Sequence, residues 1–597
     1  TGPVLQHGEN LHFRIEKKTS MKKTGASLVR HALEQLGVRY TFGIPGVHNT
    51  EIYDELAASE QITPLLVTHE AGAAFMADAI SRTSDHIGTL LVVPAAGLTH
   101  AMSGIGEAFL DGIPMLVISG GTRTDTGRVY QLHQMDQKAL VSAVTKAQFT
   151  CATQADIVPT LYEAYRLATT GEPGPVYVEV PVNIQMLKGE TGDIPDWMQI
   201  GPGELPSAEK IESAAALLSD AGKVGIFAGW GSRGARTSLI RIAELLGAPV
   251  ATSLQGLSVF PHDHTLHTGM GFGPAAVPAA QKAFADIDAM LAVGVRFGEI
   301  ATGSYGSKPP EQLVHVDINP DVMSANFEAS VELVGDAAQI LPELEQALLR
   351  HISRPRHQSS LAARINTEKV NYQQQWLNHD SGSRVNPGRF FRALDKALPD
   401  DAIIVADDGN HTFMVAELMP MSGNRSYISP TDFNCMGYCI PAAAGASLAS
   451  PDRFVCGIVG DGGLVMTGFE ALTAVANKLG VVYFVFADGE LSQIAQAQEV
   501  TRNRKTCTIL PPLDIASFAR ATGAEFVDMN SDGDIDRAIS ESLALVNDRK
   551  TVFVRVNIDY SKKTQFTSGA VKTNFGTFDT ATKLRLAGRA IYRKFKG

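Results

Sequence analysis

The sequence predicts an α/β protein made of three successive doubly wound domains, each built around a parallel β-sheet. Short apolar runs alternate with amphipathic, helix-length segments along most of the chain, which is the pattern of strands joined by helical crossovers. Two longer polar stretches, residues 191–206 and 344–384, interrupt this alternation, and we predict that they are linkers. The chain has 597 residues, too many for one hydrophobic core, so a division into several domains is expected.

The first domain is predicted to span residues 21–190. It begins with an amphipathic helix over residues 24–36, which Gly37 ends, and further helices are predicted over residues 71–81 and 101–110. Its strands are predicted at residues 40–43, 65–67, 88–93, 115–119 and 176–181. Residues 1–20 are polar and contain a segment similar to a protease-site linker, so we expect a tag or linker tail ahead of Met21.

The central and third domains are predicted to span residues 206–350 and 385–560. The strands of the central domain are predicted at residues 224–228, 289–293 and 312–316. The third domain begins with a helix at Asn386, and a second helix is predicted over residues 467–479. Its strands are predicted at residues 403–406, 453–459, 481–486 and 551–556. Residues 561–597 form a basic tail, whose last part is predicted to be either a solvated helix or a lid over the site.

Composition and charge exclude several classes of protein. Hydrophobic residues make up 44% of the chain and charged residues 19%, as in an ordinary globular protein. The 63 acidic residues outnumber the 51 basic ones, and the net charge of −12 argues against a nucleic-acid binder or a membrane-surface binder. No apolar run reaches membrane-spanning length. The five cysteines, an odd number without metal-ligand spacing, predict reduced thiols and a cytoplasmic protein.

The most informative motif is Gly460-Asp461-Gly462, which follows a predicted strand. Asp488 follows the next predicted strand, so both carboxylates should lie at the carboxyl edge of one parallel sheet, where such sheets bind ligands. Two hard oxygen ligands beside glycine-rich backbone suit a magnesium ion that also holds phosphate. A simple turn at the end of the strand explains the Gly-Asp-Gly sequence equally well.

This motif resembles the metal–diphosphate motif of the thiamine diphosphate enzymes, in which Gly-Asp-Gly is followed, after a gap, by Asn-Asn. The resemblance implies thiamine diphosphate and Mg²⁺ as cofactors, with Asp461, Asp488 and the main-chain carbonyl of Glu490 as metal ligands. The glycines that it implies in cofactor binding are Gly460, Gly462 and Gly463. The chain has Ala487-Asp488 where the family has Asn-Asn, which makes the site more anionic and predicts a firm dependence on magnesium.

Glu70 is the predicted catalytic residue of the first domain. It lies between a predicted strand and the first turn of a helix, where a carboxylate is also ordinary capping chemistry. In the acetolactate synthase and pyruvate decarboxylase group of the family, a Glu at this place is followed by small residues and a helix that ends in Arg, as in residues 70–82. The resemblance implies that Glu70 hydrogen-bonds the aminopyrimidine ring of the cofactor and relays the proton that leaves thiazolium C2.

Further segments match the family and complete the predicted cofactor site. Residues 42–46 match the family's Phe-Gly-x-Pro-Gly opening, and residues 434–438 match a Gly-x-Met-Gly segment. Residues 407–411 follow a strand and open a helix, where backbone amides bind phosphate. The cofactor-binding residues that these matches imply are Pro45, Gly46, Asn410, His411, Asn434 and Met436. Met436 would pack between the two cofactor rings, unless it is an ordinary core methionine.

The matches also imply residues that face the substrate. Gln134 lies in a segment similar to the family's active-site loop and is predicted to act in catalysis. The predicted substrate-pocket residues are His100, Phe109, Lys146, Arg296, Gln493, Ile494 and Ala497. A surface position for Lys146 and a capping role for His100 are equally open. Arg296 could hold a carboxylate, contact FAD or form a plain structural salt bridge.

The family motifs cover the chain from Met21 to about Tyr560, and the resemblance is closest to the acetolactate synthases. It implies an enzyme that decarboxylates a small 2-keto acid such as pyruvate and joins the hydroxyethyl carbanion to a second carbonyl. The family's synthases carry Met-Val where this chain has Gln493-Ile494, and Trp where it has Ala497. These departures predict a wider and more polar acceptor site.

Two alternatives stay open: a 2-keto acid decarboxylase or lyase that does not ligate, and a catalytically silent subunit, against which Glu70 argues. The resemblance also implies a homodimer as the smallest unit, because the family's active site lies between the first domain of one subunit and the third domain of another. A homotetramer is common in the family. The resemblance leaves FAD open as a further cofactor.

Overall fold

The structure is a computed structural model that describes residues 21–201, 203–357, 359–500 and 503–596. Within these ranges the chain forms three six-stranded sheets, each of them parallel throughout and flanked by helices. The predicted fold class is therefore confirmed. The expected tag, residues 1–20, lies outside the described residues.

The first unit follows the predicted alternation of strands and helices. Its strands are β1 Lys22–Thr24, β2 Tyr40–Gly43, β3 Thr63–Leu66, β4 Gly88–Val92, β5 Met115–Gly121, β6 Ala147–Thr150, β7 Pro175–Pro181 and β8 Lys188–Glu190. Its helices are α1 Gly25–Gln35, α2 Thr50–Ala57, α3 Glu70–Thr83, α4 Ala96–Leu110, α5 Gln137–Val141, α6 Gln154–Thr169 and α7 Val182–Met186. The sheet order is β3-β2-β4-β5-β7-β6, and β1 pairs with β8 in a separate antiparallel ladder.

The central unit has the strand order that is typical of dinucleotide-binding folds. Its strands are β9 Val224–Ala228, β10 Val250–Thr252, β11 His267–Met270, β12 Ala289–Val293, β13 Gln312–Asp317 and β14 Val331–Val334. Its helices are α8 Ala208–Asp220, α9 Arg236–Leu246, α10 Pro278–Phe284 and α11 Ala337–His351. The order β11-β10-β9-β12-β13-β14 places the first strand beside the fourth, as in a classical doubly wound sheet.

Helix α12 Ser359–Leu377 connects the central and third units. This helix lies within the predicted linker, residues 344–384, and packs against both units. Leu361 and Ile365 belong to the core of the central unit, whereas Tyr372 and Trp376 belong to a core of the third. The segment therefore holds two units together as well as linking them.

The third unit repeats the strand order of the first. Its strands are β15 Ile403–Ala406, β16 Ser426–Ile428, β17 Val455–Gly460, β18 Val481–Phe486, β19 Glu525–Met529 and β20 Thr551–Val556. Its helices are α13 Pro387–Ala397, α14 Asn410–Leu418, α15 Cys439–Ala449, α16 Asp461–Thr467, α17 Ala471–Ala476, α18 Ser492–Val500, α19 Ile515–Thr522 and α20 Ile535–Asn547, followed by α21 Gln565–Thr577 and α22 Thr580–Lys596. The sheet order is β16-β15-β17-β18-β20-β19.

The helix predicted over residues 467–479 is wrong in its bounds. Helix α16 begins at Asp461, directly after β17, so the Gly-Asp-Gly motif forms the first turn of a helix and not a separate loop. The helical path then tightens into a 3₁₀ turn over Gly468–Glu470 before α17 begins. Gly468, a poor helix former, marks this break.

Helices α3 and α15 join the first and third units into one continuous core. Their facing residues are small: Ala73, Ala74 and Ala77 on α3, and Ala442, Ala443 and Ala446 on α15, are all fully buried. Small side chains let the two helix backbones approach closely. In the part of the chain that the structure describes, no helix combines the length and the apolar character needed to cross a membrane.

Candidate active site

A cavity of about 170 Å³ opens at the carboxyl edge of the third sheet. The strand order reverses between β15 and β17, and open α/β sheets bind ligands at such a reversal. The cavity is lined mainly by segments that directly follow β15, β17 and β18. The predicted site residues that line it are Asn410, His411, Asn434, Met436, Gly460, Asp461, Gly462, Gly463, Asp488, Glu490, Gln493 and Ile494.

Asp461 and Asp488 lie next to each other at the ends of neighbouring strands, because β17 and β18 pair in register up to Gly460 and Phe486. Asp461 Oδ2 accepts hydrogen bonds from the main-chain N–H of Asp488, at 3.1 Å, and of Gly489, at 2.8 Å. Burial raises the pKa of Asp461 to about 6, with a further contribution from the charge of Asp488, and burial also raises the pKa of Asp488. A bound cation would offset the cost of keeping both groups ionised there.

Contacts with Lys505 and Ser492 limit which oxygen atoms of Glu490 and Asp488 can bind a ligand. The Glu490 carboxylate pairs with Lys505 Nζ at 2.7 Å, so its main-chain carbonyl is the group left for the predicted ligand role. Ser492 Oγ donates a hydrogen bond to the Asp488 carboxylate. Sequence reasoning missed Ser492, although its position one helical turn after Asp488 could have indicated it.

Another part of the lining consists of the start of α14 and a group of glycines. Asn410 Nδ2 and His411 Nε2 are buried without a hydrogen-bond partner among the described residues. Burial lowers the pKa of His411 to about 3, so its ring is neutral. A Cβ atom at Gly462 would lie 2.6 Å from Leu491 Cδ2, and one at Gly463 would lie 2.8 Å from Asp407 Oδ2. The lining therefore offers unsatisfied polar atoms and bare main chain.

Asp407 fixes the loop that carries Asn434 and Met436. Its fully buried carboxylate accepts hydrogen bonds from three main-chain N–H groups, those of Asp408 at 2.8 Å, Gly437 at 2.8 Å and Cys439 at 3.1 Å. Asn434 has a φ of 66°, a left-handed conformation that is uncommon outside glycine. The predicted sites did not include Asp407, because its bonds to residues 437 and 439 join segments that are distant in the sequence.

The predicted acceptor residues divide between the cavity and the outer surface of α18. Gln493 and Ile494 line the cavity, and Gln493 Oε1 is buried without a partner among the described residues. Ala497, one turn further along α18, is exposed and does not line it. The cavity has further lining residues that the sequence did not single out: Asp408, Gly409, Phe486, Leu491, Ser492 and Tyr560. Phe486 and Tyr560 gave no sequence signal beyond their hydrophobic context.

Glu70 lies apart from this cavity, at the carboxyl edge of the first sheet. It is the first residue of α3, after β3, and is 6% exposed. Its Oε2 lies 3.0 Å from Nδ1 of His100, which is the fifth residue of α4, after β4. The His100 ring stacks on that of His69, with 4.7 Å between the ring centroids. Sequence reasoning named Glu70 and His100 separately and did not predict their contact.

Pro45 and Gly46 follow β2 at the same edge of the first sheet. The sheet order reverses between β2 and β4, so this edge has the same kind of crevice as the third sheet. Pro45 is exposed, and the main-chain N–H of Gly46 donates to Asn49 Oδ1 at 2.7 Å.

The other predicted site residues of the first and central units lie neither in the lining of the third unit's cavity nor in the group around Glu70, among the described residues. Gln134 is exposed, and its Oε1 accepts a hydrogen bond from the main-chain N–H of Gln131 at 2.9 Å. Phe109 is half-buried near the end of α4. Lys146 Nζ donates to the carbonyl oxygens of Leu167 and Thr170 at the C-terminal end of α6, an arrangement that favours a structural role.

Arg296 forms structural salt bridges, which was one of the three alternatives predicted for this residue. Its guanidinium lies 3.4 Å from Glu172 and 3.3 Å from Asp432, and it donates to the carbonyl of Leu110 at 2.5 Å. These partners belong to the first and third units, so Arg296 ties the central unit to both of them.

The cavity of the third unit fits thiamine diphosphate with a divalent cation. Two adjacent carboxylates supply hard oxygen ligands, and the unpartnered atoms of Asn410 and His411 can bond the oxygens of a diphosphate. Helix α14 begins beside the cavity, and the N-terminal end of a helix favours an anion. Gly462 and Gly463 leave the main chain bare beside this space.

Comparison with known protein families identifies the class of enzyme to which the chain belongs. Three family models match in order: the N-terminal TPP binding domain of thiamine pyrophosphate enzymes at residues 23–140, the central domain at residues 211–344 and the C-terminal TPP binding domain at residues 407–556. The chain belongs to the thiamine pyrophosphate enzymes and is a thiamine pyrophosphate-dependent enzyme.

Within this class the chain is similar to acetolactate synthases. It is 30% identical to the acetolactate synthase large subunit of Haemophilus influenzae over 91% of this chain and 96% of the relative. It is 29% identical to the large subunit of acetolactate synthase isozyme 3 of Escherichia coli, over 90% of this chain and 95% of the relative. It is 31% identical to the acetolactate synthase of Mycobacterium bovis, over 80% and 78%.

Proposed function

We propose that the chain is a magnesium-dependent 2-keto acid decarboxylase and carboligase of the acetolactate synthase type. The observation that carries this proposal is the cavity at the reversal of the third sheet, whose lining combines Asp461 and Asp488 with atoms of Asn410 and His411 that have no partner among the described residues. The relatives that match over most of their length are named acetolactate synthases, which favours carboligation of a small 2-keto acid such as pyruvate.

Thiamine diphosphate, when bound, supplies the carbon nucleophile and the electron sink for decarboxylation. Asp461 and Asp488 would hold Mg²⁺ against the diphosphate, together with the main-chain carbonyl of Glu490. Asn410 and His411 would hydrogen-bond the diphosphate, and Met436 would contact the rings.

Glu70 would hydrogen-bond the pyrimidine ring and move a proton at its carboxylate oxygens. It does not line the cavity of its own chain, whose lining comes from residues 408–560 in the part of the chain that the structure describes. We therefore propose that a second copy of the chain supplies Glu70 to this cavity, so that a homodimer is the smallest active unit and a homotetramer is compatible with it.

The domain boundaries predicted from the sequence belong to the same proposal. Each family model falls within one of the predicted ranges, residues 21–190, 206–350 and 385–560, which supports these bounds. The five free thiols support a cytoplasmic location. The suggestion of FAD stays a prediction.

The second candidate function is a decarboxylase or lyase on the same scaffold that forms no acetolactate. Gln493 favours it, because its amide oxygen has no partner among the described residues and the side chain lines the cavity at the position predicted to shape the acceptor pocket. A polar group in the acceptor pocket suits either a different second substrate or a reaction in which a proton takes the place of the carbonyl acceptor.

Product analysis separates the two functions. The protein is incubated with pyruvate, thiamine diphosphate and Mg²⁺, and the products are identified by NMR. Acetolactate, or acetoin derived from it, is the expected result, whereas acetaldehyde alone would assign the protein to the second function. Removal of magnesium with EDTA should stop turnover and added Mg²⁺ should restore it; turnover that continues without the ion contradicts the proposed metal site.

A further inference from the structure

We propose that His100 is the positioning partner of Glu70 and carries protons between its carboxylate and solvent. This inference rests on the proposed function, because it concerns the proton that Glu70 handles. Its basis is the hydrogen bond between His100 Nδ1 and Glu70 Oε2, at 3.0 Å, which is the closest charged or titratable contact that the structure gives to Glu70. No lysine or arginine forms an ion pair with Glu70 among the described residues.

The local fold aims His100 at Glu70. Helix α4 begins after Ala95, whose φ of 55° turns the chain sharply out of β4, and His100 falls in its first turns. A Cβ atom at Gly97 would lie 3.1 Å from Glu70 Oε1, so glycine lets the start of α4 lie close against the carboxylate. The contact thus depends on main-chain packing between α3 and α4 and not on a mobile surface side chain alone.

His69 holds the imidazole of His100 in place. His69 is the N-cap of α3, and its Nδ1 accepts the main-chain N–H of Ala71 at 3.1 Å, which fixes the orientation of its ring. The two imidazoles stack at 4.7 Å with 26° between their planes. Two further titratable groups lie near Glu70. The hydroxyl of Tyr53 donates to the carbonyl of Leu91, and burial raises its pKa, so it stays neutral. The carboxylate of Glu470 accepts hydrogen bonds from the main-chain N–H and the hydroxyl of Thr68, two residues before Glu70.

The contact between the two side chains offers a path for the proton. In the single chain the side chain of Glu70 is 8% exposed and that of His100 is 52% exposed, so in the proposed dimer His100 lies between Glu70 and the water at the edge of the joined site. Imidazole changes its charge near neutral pH and carries a nitrogen on each side of the ring. The Nδ1 lone pair can take the proton of the Glu70 carboxylic acid, leaving a carboxylate and an imidazolium, and Nε2 then releases a proton to water. The reverse sequence returns a proton to Glu70.

The test follows hydrogen–deuterium exchange at thiazolium C2 of the bound cofactor in the holoenzyme, as a function of pH. His100→Asn keeps a hydrogen-bonding group at this position but cannot carry a proton, so we expect the exchange rate to fall about tenfold or more and its pH profile to differ from that of the wild type. In His100→Ala, added imidazole should restore part of the rate. The affinity for thiamine diphosphate should change little, which separates proton transfer from a general loss of structure.

Two reference variants make the result decisive. His86→Asn, at a half-buried position beyond the other end of α3, should leave the rate and its pH profile unchanged. Glu70→Gln should abolish exchange; if exchange continues in it, the proposed role of Glu70 itself fails. If Glu70→Gln abolishes exchange while both His100 variants keep the wild-type rate and pH profile without any effect of imidazole, the role of His100 is refuted and that of Glu70 stands.

Discussion

Gly409 determines both the backbone conformation at the start of α14 and the space beside His411 in the cavity. Its φ of 150° lies in a region that residues with a side chain rarely adopt, and a Cβ atom there would lie 2.7 Å from His411 Cε1. The same residue is the N-cap of α14, so its conformation sets the direction in which Asn410 and His411 enter the cavity. Glycine is therefore required here for both conformation and space.

Replacing Gly409 with alanine should weaken both the fold and cofactor binding. We expect a loss of about 1–3 kcal/mol in the free energy of unfolding from backbone strain. We also expect a weaker affinity for thiamine diphosphate, since the new methyl group displaces the His411 ring. Urea unfolding and calorimetric titration with the cofactor and Mg²⁺ measure the two effects.

Gly382→Ala is the matched control for Gly409→Ala. Gly382 also has a positive φ, of 58°, but no atom lies within 4 Å of its Cβ position and it lines no part of the cavity. It should show some loss of stability from strain and an unchanged affinity for thiamine diphosphate. Equal affinities in Gly409→Ala and the wild type would contradict the role given to the start of α14.

Among the site residues, those that lie just after a strand could be predicted best from the sequence. Asn410, Asp461 and Asp488 lie within four residues of the ends of apolar runs, so their presence at one sheet edge could be predicted from the order of elements alone. The contact between Glu70 and His100 could not, because it depends on how close α4 approaches α3. Nor could the placement of Lys146, whose ammonium reaches carbonyl groups at the end of α6.

At the scale of elements, the packing of α3 against α15 decides how the first and third units meet. A Cβ atom at Gly445 of α15 would lie 2.5 Å from the carbonyl oxygen of Met76 and 2.9 Å from its Cα. Both are main-chain atoms of α3, so the obstruction cannot be relieved by the rotation of a side chain. The two helices can keep their present distance only with glycine at position 445.

Gly445→Ala should therefore destabilise the protein although alanine is the better helix former. We expect a loss of about 1–3 kcal/mol from overpacking, seen as a lower urea midpoint. Gly588→Ala makes the same change in α22, where no atom lies within 4 Å of the Cβ position, and should leave the midpoint unchanged. Similar midpoints for the two variants would show that α3 and α15 can move apart without cost.

The strand predictions are most accurate where burial leaves a long apolar run in the sequence. Strands β9, β12, β18 and β20 have the bounds predicted from their apolar runs, because a central parallel strand is covered on both faces. The short strands β10, β11, β14, β16 and β19 were missed. They lie at or beside the edges of their sheets and are only three to five residues long, so each leaves a short pattern in the sequence. Local periodicity also could not show that α16 starts within the Gly-Asp-Gly motif.

At the scale of the whole molecule, Arg82 lies where all three units meet. Its buried guanidinium bonds Asp78 at 2.7 Å and Asp111 at 2.8 Å, both in the first unit. Tyr438 of the third unit donates from its hydroxyl to the same Asp78 at 2.6 Å. Arg233 of the central unit donates to the main-chain carbonyl of Arg82 at 2.6 Å. The relative placement of the units therefore depends on one buried cation and the two carboxylates around it.

Arg82→Met should destabilise the whole molecule because it leaves Asp78 and Asp111 buried without their counter-charge. Removal of one partner from a buried ion pair costs about 3–5 kcal/mol, so we expect a large drop in the urea midpoint. Arg166→Met removes the same charge from an exposed pair with Glu163, whose side chains are 47% and 41% exposed, and should change the midpoint little. Adding Asp111→Asn to Arg82→Met should recover part of the loss, since it removes one uncompensated carboxylate. Equal midpoints for Arg82→Met and Arg166→Met would mean that the cluster around Arg82 contributes little to holding the units together.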